Sequence, residues 1–452
     1  MNAKAEDIAQ AVGSRPDLDR NALIRDFLAL LPAHSVLHDP EDLRPFECDG
    51  LAAYRQRPMI VVLPETLEQV QGILRLCRER DVPVVARGAG TGLSGGALPL
   101  ADGVLLVMAK FNRILELDPH KRIARVQPGV ANLAISQAAI PHNLYYAPDP
   151  SSQIACTIGG NVAENAGGVH CLKYGLTVHN VLGIKAVTID GDLIELGGEC
   201  LDSPGYDLLA LMNGSEGMLA VLVEVTVKLL PRPEDTRLVM AAFASVEAAG
   251  QAVGEIIANG TIPAGLEMLD NVAIRATEDF AHCGYPVEAA AILLCEVDGT
   301  GDEVADQLAA VGKVLEHCGA SLIREARDEA ERLLFWKGRK MAFPAMGRMS
   351  PDYYCMDGTI PRRALPRVLN RISELSEEYQ LPVANVFHAG DGNLHPLIMF
   401  DANKEGELHR TEAFGGRILE LCVAVGGTIT GEHGVGMEKI NQMCVQFQPL
   451  EL

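Results

Sequence analysis

The chain has 452 residues, 48% of them hydrophobic and 22% charged, which allows a sizeable core and is about three times the usual length of one domain. Lys+Arg 38 against Asp+Glu 60 leaves a net charge of -22, a field that repels nucleic acid and anionic lipid surfaces. No apolar run is long enough to span a bilayer, and the opening MNAKAEDIAQ lacks the apolar stretch of a signal peptide. Eleven cysteines are scattered from Cys48 to Cys444 without a CxxC. That pattern fits buried thiols in a reducing, cytoplasmic setting and argues against a Cys-ligated iron–sulfur cluster or Cys-rich zinc site.

Residues 1–50 read as an N-terminal leader with one short amphipathic helix, Arg20–Leu31. Regular structure begins near Arg57. A β-branched run is followed by Pro64-Glu65-Thr66, which opens a helix with apolar positions Val70, Ile73, Leu74 and Cys77, and then by a strand over Val82–Ala86. This is a βαβ unit. From there to about Pro231 short apolar runs alternate with Gly, Asp and Asn turns, so the fold class is α+β, with a mixed α/β first part over 51–234. Two prolines break the chain at LLPRPEDTR. Beyond them helices are expected over Val246–Asn259, Asp302–Cys318, Arg363–Tyr379 and Glu407–Ala424. Strands are expected over Ala290–Val297, Val383–Phe387 and Pro396–Phe400, making 235–452 an α+β second domain.

Arg87–Gly96, RGAGTGLSGG, contains a GxGxxG match but is followed by a proline, an Asp-Gly turn and a strand instead of a helix. The dinucleotide fingerprint of a Rossmann fold therefore fails. What remains is a backbone free to turn its N–H groups inward as a phosphate nest, with hydroxyls from Thr91 and Ser94 and a charge from Arg87. The alternative is a flexible surface turn. A second cluster runs from Pro148-Asp149-Pro150-Ser151-Ser152 into TIGGNVAENAGGVHCLKYG, Thr157–Gly175, where Gly159, Gly160, Gly167 and Gly168 let backbone approach a flat or charged ligand. A third, Asn213-Gly214-Ser215-Glu216-Gly217, precedes an apolar strand.

In the second half, NVFHAGDGNLHPLIMF, Asn385–Phe400, reads as a hairpin turning on Asp391-Gly392. Gly390 would then pair with Asn393, and His388 with His395. Their Cβ atoms would be roughly 5 Å apart on one face, as two ligands of one metal ion or as two hydrogen-bonded core histidines. Glu432 and His433 stand together between Gly431 and Gly434. With His388, His395 and Glu432 the chain has a set of two histidines and one carboxylate suited to zinc, iron or manganese.

The three glycine segments, in this order, resemble the FAD-binding domain of the vanillyl-alcohol-oxidase type of flavoprotein. The resemblance covers almost everything after about residue 45. It implies that the loop holding Arg87, Gly88, Ala89, Gly90, Thr91, Gly92, Ser94 and Gly95 wraps the FAD pyrophosphate. It implies that Pro148, Asp149, Thr157, Gly160, Asn161, Asn165, Gly167, Gly168 and Gly175 lie along the ribityl chain and ring, and that Glu216 and Gly217 close the adenine side. The first loop has no His or Cys, so FAD is expected to be non-covalent; His170 and Cys171 are the remaining candidates for attachment.

The hairpin and Glu432-His433 match the D-2-hydroxyacid dehydrogenase branch of that family. The match implies metal ligation by His388, His395 and Glu432, with His433 as the base that takes the hydroxyl proton while hydride passes to the flavin. It implies that Arg339, in Phe335-Trp336-Lys337-Gly338-Arg339-Lys340, binds the substrate carboxylate; read without the family, Arg339 is equally a solvated arginine at a helix start. The reaction expected is glycolate to glyoxylate, also D-lactate to pyruvate.

Relatives that take a second carboxylate carry a lysine where Tyr354-Cys355-Met356-Asp357 stands and an asparagine where this chain has Leu397, which favours a small monoacid. Flavin-type and iron–sulfur partner subunits are implied as electron acceptors, with peripheral attachment at the inner membrane through them. The resemblance also implies a closing segment beyond QFQPLEL, so the second domain reads as truncated. A metal-dependent hydrolase using His388, His395 and Glu432, a D-lactate dehydrogenase proper, and a non-catalytic FAD-binding subunit are the alternatives.

Overall fold

The computed structural model describes residues 18–199 and 205–452; residues 1–17 of the expected leader and Cys200 lie outside them. The chain divides into two units. The first comprises residues up to Gly167, Gly175–Arg232 and His433–Asn441, and the second Gly168–Tyr174, Pro233–Glu432 and Gln442–Leu452.

In the first unit a four-stranded sheet has the order Val36–Leu37, Ile60–Val62, Val104–Val107, Val84–Arg87. The last three strands are parallel, and the first runs antiparallel beside Ile60–Val62. The two strands of the expected βαβ unit are therefore not neighbours, because Val104–Val107 lies between them. The crossover helix Leu67–Glu79 starts at a capping box, Thr66 with Gln69, and buries Val70, Ile73, Leu74 and Cys77. From residue 18 on, the stretch read as a leader belongs to this unit. Helix Arg20–Leu30, capped by Asp19, puts Leu23, Ile24 and Phe27 into the same core, and Val36–Leu37 adds a strand.

A second, antiparallel sheet follows the order Ile114–Asp118, Ile123–Val126, Val221–Lys228, Val181–Val187, Leu193–Gly197. Val221–Lys228 alternates buried and half-buried residues, the period-2 pattern of a sheet with one covered face. Helices Asn132–Ala139 and Ile158–Glu164 bury Ile135, Ala139, Ile158 and Val162 in its core.

The second unit is built on a seven-stranded antiparallel sheet, ordered Leu322–Glu325, Asp235–Phe243, Ala291–Gly299, Gly265–Asp270, Val383–Phe387, Pro396–Phe400, Asp352–Cys355. The expected helices appear as Val246–Ala258, Gly301–His317, Leu365–Tyr379 and Glu407–Ala424, joined by Asn271–Ala281 and Glu329–Met346. The α+β fold class holds. Helix Glu329–Met346 begins ten residues before Arg339 and is capped by Asp328, whose carboxylate accepts from the Glu331 N–H. Arg339 is consequently mid-helix and buried, not a solvated residue at a helix start. No helix among the described residues is long and apolar enough to cross a membrane, and no disulfide joins the described cysteines.

Candidate active site

In the first unit the three glycine segments lie against one another. A Cβ on Gly88 would sit 2.3 Å from Thr157 Oγ1, so only glycine allows the first loop to touch the second cluster. Thr157 Oγ1 is buried, 3.5 Å from where a Gly160 Cβ would be, and has no hydrogen-bond partner among the described residues. Gly90 and Gly95 adopt φ of +69° and +77°, conformations that favour glycine. Ala89, Thr91 and Gly92 form the outer part of the loop. Gly92 borders open space, and the Thr91 and Gly92 carbonyls close on Gly50. An orphaned hydroxyl beside glycine-lined backbone fits an acceptor-rich ligand such as a pyrophosphate.

Arg87 is turned under the loop. Its guanidinium donates to the Cys48 carbonyl at 2.7 Å and lies 5.9 Å from the Phe46 ring centroid. Asn132 Nδ2 ties the Pro148 carbonyl, next to Asp149, to Asn161 Oδ1 at 3.0 Å each. Asn165 ends helix Ile158–Glu164 in the left-handed conformation and accepts from the Val178 N–H. Gly175 has φ +79° and Gly217 φ +73°, and a Cβ on Gly217 would sit 3.6 Å from Ala86 Cβ.

Ser94 and Glu216 carry a task the sequence did not announce. The Ser94 hydroxyl donates to the His433 carbonyl at 2.7 Å, and its own carbonyl accepts from the Met437 and Glu438 N–H groups. Glu216 accepts from the Val435 and Gly436 N–H groups at 2.8 and 2.7 Å. Together they grip residues 433–441, so the backbone of His433 is held by the glycine-rich loop. The partners are 339 and 219 residues apart.

Gly167 ends the first stretch of this unit, whereas Gly168 opens the short segment 168–174 that belongs to the second. There His170 Nε2 lies 3.0 Å from Glu296 Oε1, Lys173 pairs with Asp298, and Cys171 is buried.

In the second unit the hairpin forms with a different register. Asn385 pairs with Pro396, and His388 bridges to Asn393 instead of His395. The turn is thus the four residues Ala389–Gly392, closed by Gly392 N–H to the His388 carbonyl at 3.1 Å. Two neighbours pull Gly390 out of the pairing: its N–H donates to the Leu266 carbonyl and its own carbonyl accepts from Arg362. Each partner has moved by two residues, which keeps every side chain on its face. The two imidazoles therefore still meet, with ring centroids 5.1 Å apart at 87°.

His388 Nε2 and His395 Nε2 both point at Glu432 Oε1, at 3.1 and 3.0 Å, and Asn393 Nδ2 donates to the same oxygen at 3.2 Å. The other ring nitrogens face acceptors: His388 Nδ1 faces Glu267 Oε1 at 2.7 Å, and His395 Nδ1 the Met356 carbonyl at 3.3 Å. Each Nδ1 must therefore carry a proton, so in neutral imidazoles both Nε2 lone pairs aim at a carboxylate oxygen. Three lone-pair atoms converging in a buried place suit a shared cation, and this donor set fits a divalent metal. Without one, a proton fills the gap. Burial would lower the His388 pKa, but Glu267 and Glu432 hold it well above its ordinary value. Burial would raise the Glu432 carboxyl, yet the two imidazoles at its Oε1 hold it well below the usual range.

Two acidic residues that motif reading missed complete the cluster. Asp357 is fully buried and accepts from the Gly431 and Glu432 N–H groups and the Thr430 hydroxyl, which fixes the loop bearing Glu432. Glu267 is fully buried, with Oε2 accepting from Arg339 Nε at 2.6 Å. Arg339 Nη2 is buried without a hydrogen-bond partner among the described residues. His388, His395, Glu432 and Arg339 are thus linked through Glu267, and His433 follows Glu432 in the chain as the first residue of the segment gripped by Ser94 and Glu216. Leu397 is buried within strand Pro396–Phe400.

Residues 58–197 match the FAD binding domain family, and residues 232–452 match the FAD linked oxidases, C-terminal domain. The glycolate oxidase subunit GlcD of Escherichia coli strain K12 is 65% identical over 440 residues, covering 97% of this chain and 88% of that one. The chain belongs to the FAD-linked oxidases. A D-lactate dehydrogenase of Archaeoglobus fulgidus in the same comparison is 34% identical over 387 residues, covering 85% of this chain and 84% of its own. A solved p-cresol methylhydroxylase, 17% identical, superposes with a TM-score of 0.81 over 95% of this chain and 92% of its own, which is a likeness of fold. As an FAD-linked oxidase the chain is a flavoprotein oxidoreductase with FAD as cofactor, and the hydrolase alternative falls.

Proposed function

We propose that this FAD-linked oxidase oxidises a small 2-hydroxy acid to the 2-oxo acid, with glycolate as first substrate and D-lactate as second. The observation that carries the reading is the convergence of His388 Nε2 and His395 Nε2 on Glu432 Oε1, linked through Glu267 to the buried Arg339. When bound, FAD supplies a hydride acceptor and a divalent ion a Lewis acid for the substrate hydroxyl.

The first unit is the flavin-binding domain, expected over 51–234 but drawing also on residues before 51 and on 433–441, and the second unit is the substrate and metal domain. Gly88, Gly90, Thr91, Gly92 and Gly95 line the pyrophosphate, and Thr157, Gly160 and Asn161 follow the rest of the cofactor. His388, His395 and Glu432 hold zinc, iron or manganese. Arg339 Nη2 donates to the substrate carboxylate, a charge-assisted bond that orients the acid. His433 removes the hydroxyl proton on its imidazole, with its backbone steadied by Ser94. A buried Leu397 offers nothing to a second carboxylate, which supports a monoacid.

Two of the relatives are named as a glycolate oxidase subunit and a D-lactate dehydrogenase, which supports both substrates. The first name, that of a subunit, also supports partner subunits; we propose that these are of flavin and iron–sulfur type and are the route for electrons and for peripheral membrane attachment. The test is anaerobic flavin bleaching of the purified FAD-loaded protein with glycolate, D-lactate, L-lactate and D-2-hydroxyglutarate. Rapid bleaching by glycolate and D-lactate is expected. A yellow protein bleached by none of the four, or only by the diacid, overturns the reading.

A further inference from the structure

Glu267 lies among apolar residues in strand Gly265–Asp270, between Leu266 and Met268, and has no exposed surface. A carboxylate in such a place is costly unless both oxygens are paired. One oxygen faces His388 Nδ1 at 2.7 Å and the other accepts from Arg339 Nε at 2.6 Å. These partners are 121 and 72 residues away, on the hairpin and on helix Glu329–Met346.

We propose that Glu267 is a positioning residue that sets the metal-ligating tautomer of His388 and the plane of the Arg339 guanidinium together, so that one side chain aligns the metal ligand with the carboxylate clamp. The inference rests on the reading of His388 and Arg339 given under Proposed function. Its physical basis is that an ionised carboxylate has two acceptor oxygens and no proton. Both of its neighbours must therefore donate, His388 with Nδ1–H, which leaves Nε2 as a lone pair for a metal.

Glu267→Gln separates the two duties. An amide has one acceptor oxygen, and its NH2 group meets a donor on the other side. If the oxygen serves Arg339, His388 is driven to the tautomer with hydrogen on Nε2; if it serves His388, the guanidinium turns away. The measurements, on the FAD-loaded full chain, are zinc affinity by competition with a chromogenic chelator and KM and kcat for glycolate.

The expected result is zinc binding weakened about 10–100-fold, the range for removing a residue behind a metal-ligating histidine, or a KM raised by at least about tenfold, or both, with flavin content unchanged. Zinc affinity and KM both within about twofold of the wild type would overturn the proposal. Should the single variant not fold, the double variant Glu267→Met with Arg339→Met leaves no buried charge unpaired. It is expected to bind zinc at least about tenfold more weakly, and unchanged zinc affinity there overturns the proposal equally. A wild-type chain that takes up no zinc and ignores glycolate removes the underlying reading instead, and is recognised before any variant is made.

Discussion

Arg339→Lys tests the carboxylate clamp most directly. The native side chain is buried, donates Nε to Glu267 at 2.6 Å, and leaves Nη2 without a partner among the described residues. Lysine keeps the positive charge, so Glu267 is not left as an uncompensated buried anion, a loss that costs about 3–5 kcal/mol. What lysine gives up is the planar fork, since a single ammonium cannot face Glu267 and a substrate carboxylate in two fixed directions. One hydrogen bond to a charged group is worth about 1.5–3 kcal/mol. At about 1.4 kcal/mol per factor of ten, KM for glycolate should rise roughly 10- to 150-fold.

The assay is steady-state turnover with a dye acceptor, alongside a thermal melt. Because charge is conserved, Tm should stay within a few degrees, given about 2–4 °C per kcal/mol for a domain of 150–250 residues. A KM within about twofold of the wild type, in a protein that melts normally, would show that Arg339 does not bind the carboxylate.

Three further outcomes are expected. His433→Ala should slow anaerobic flavin reduction by about 10²–10⁴-fold, the usual contribution of a general base. FAD content should be retained, because the bond from Ser94 goes to the backbone carbonyl; unchanged bleaching would remove His433 from the mechanism. Gly338→Ala places a Cβ 2.5 Å from Tyr285 Oη and 2.6 Å from Cys283 Sγ, and Tyr285 is pinned by its bond to the Phe335 carbonyl. Overpacking of about 1–3 kcal/mol should outweigh the ~1 kcal/mol of helix propensity regained, lowering the urea midpoint; a raised midpoint contradicts this packing. Glu296 is buried, and burial would raise its carboxyl, but His170, Arg332 and Trp336 hold it below its ordinary value of 4.5. The unfolded chain therefore takes up a proton at a higher pH than the folded one. The stabilisation is present above about pH 4.5 and is lost as pH falls through the lower folded value. Glu296→Gln should flatten that part of a urea-stability profile, and an unaltered slope would refute the assignment.

The features legible in the sequence are those encoded within a few residues. Pro64-Glu65-Thr66 announces helix Leu67–Glu79, apolar spacing announces Leu365–Tyr379, and glycine density in three segments announces a backbone built to approach a ligand. A strand's period of two places the histidines of Asn385–Phe400 on one face, and that placement survives the change of register. The register itself is not legible. Gly390 is drawn aside by Leu266 and Arg362, and neither is visible from within the hairpin.

Glu267 is a single acid in the stretch GLEMLD, and nothing local distinguishes it from a surface glutamate. Its meaning comes from a guanidinium 72 residues and an imidazole 121 residues away. Asp357 and the grip of Ser94 and Glu216 on residues 433–441 are of the same kind. By itself the sequence determined the elements, the fold class and most of the reactive groups, because periodicity, caps and glycine conformation act over one or two turns of chain. Tertiary structure decided how those groups are aimed, because a buried charge takes its orientation and its proton from whichever distant partner packing brings within about 3 Å.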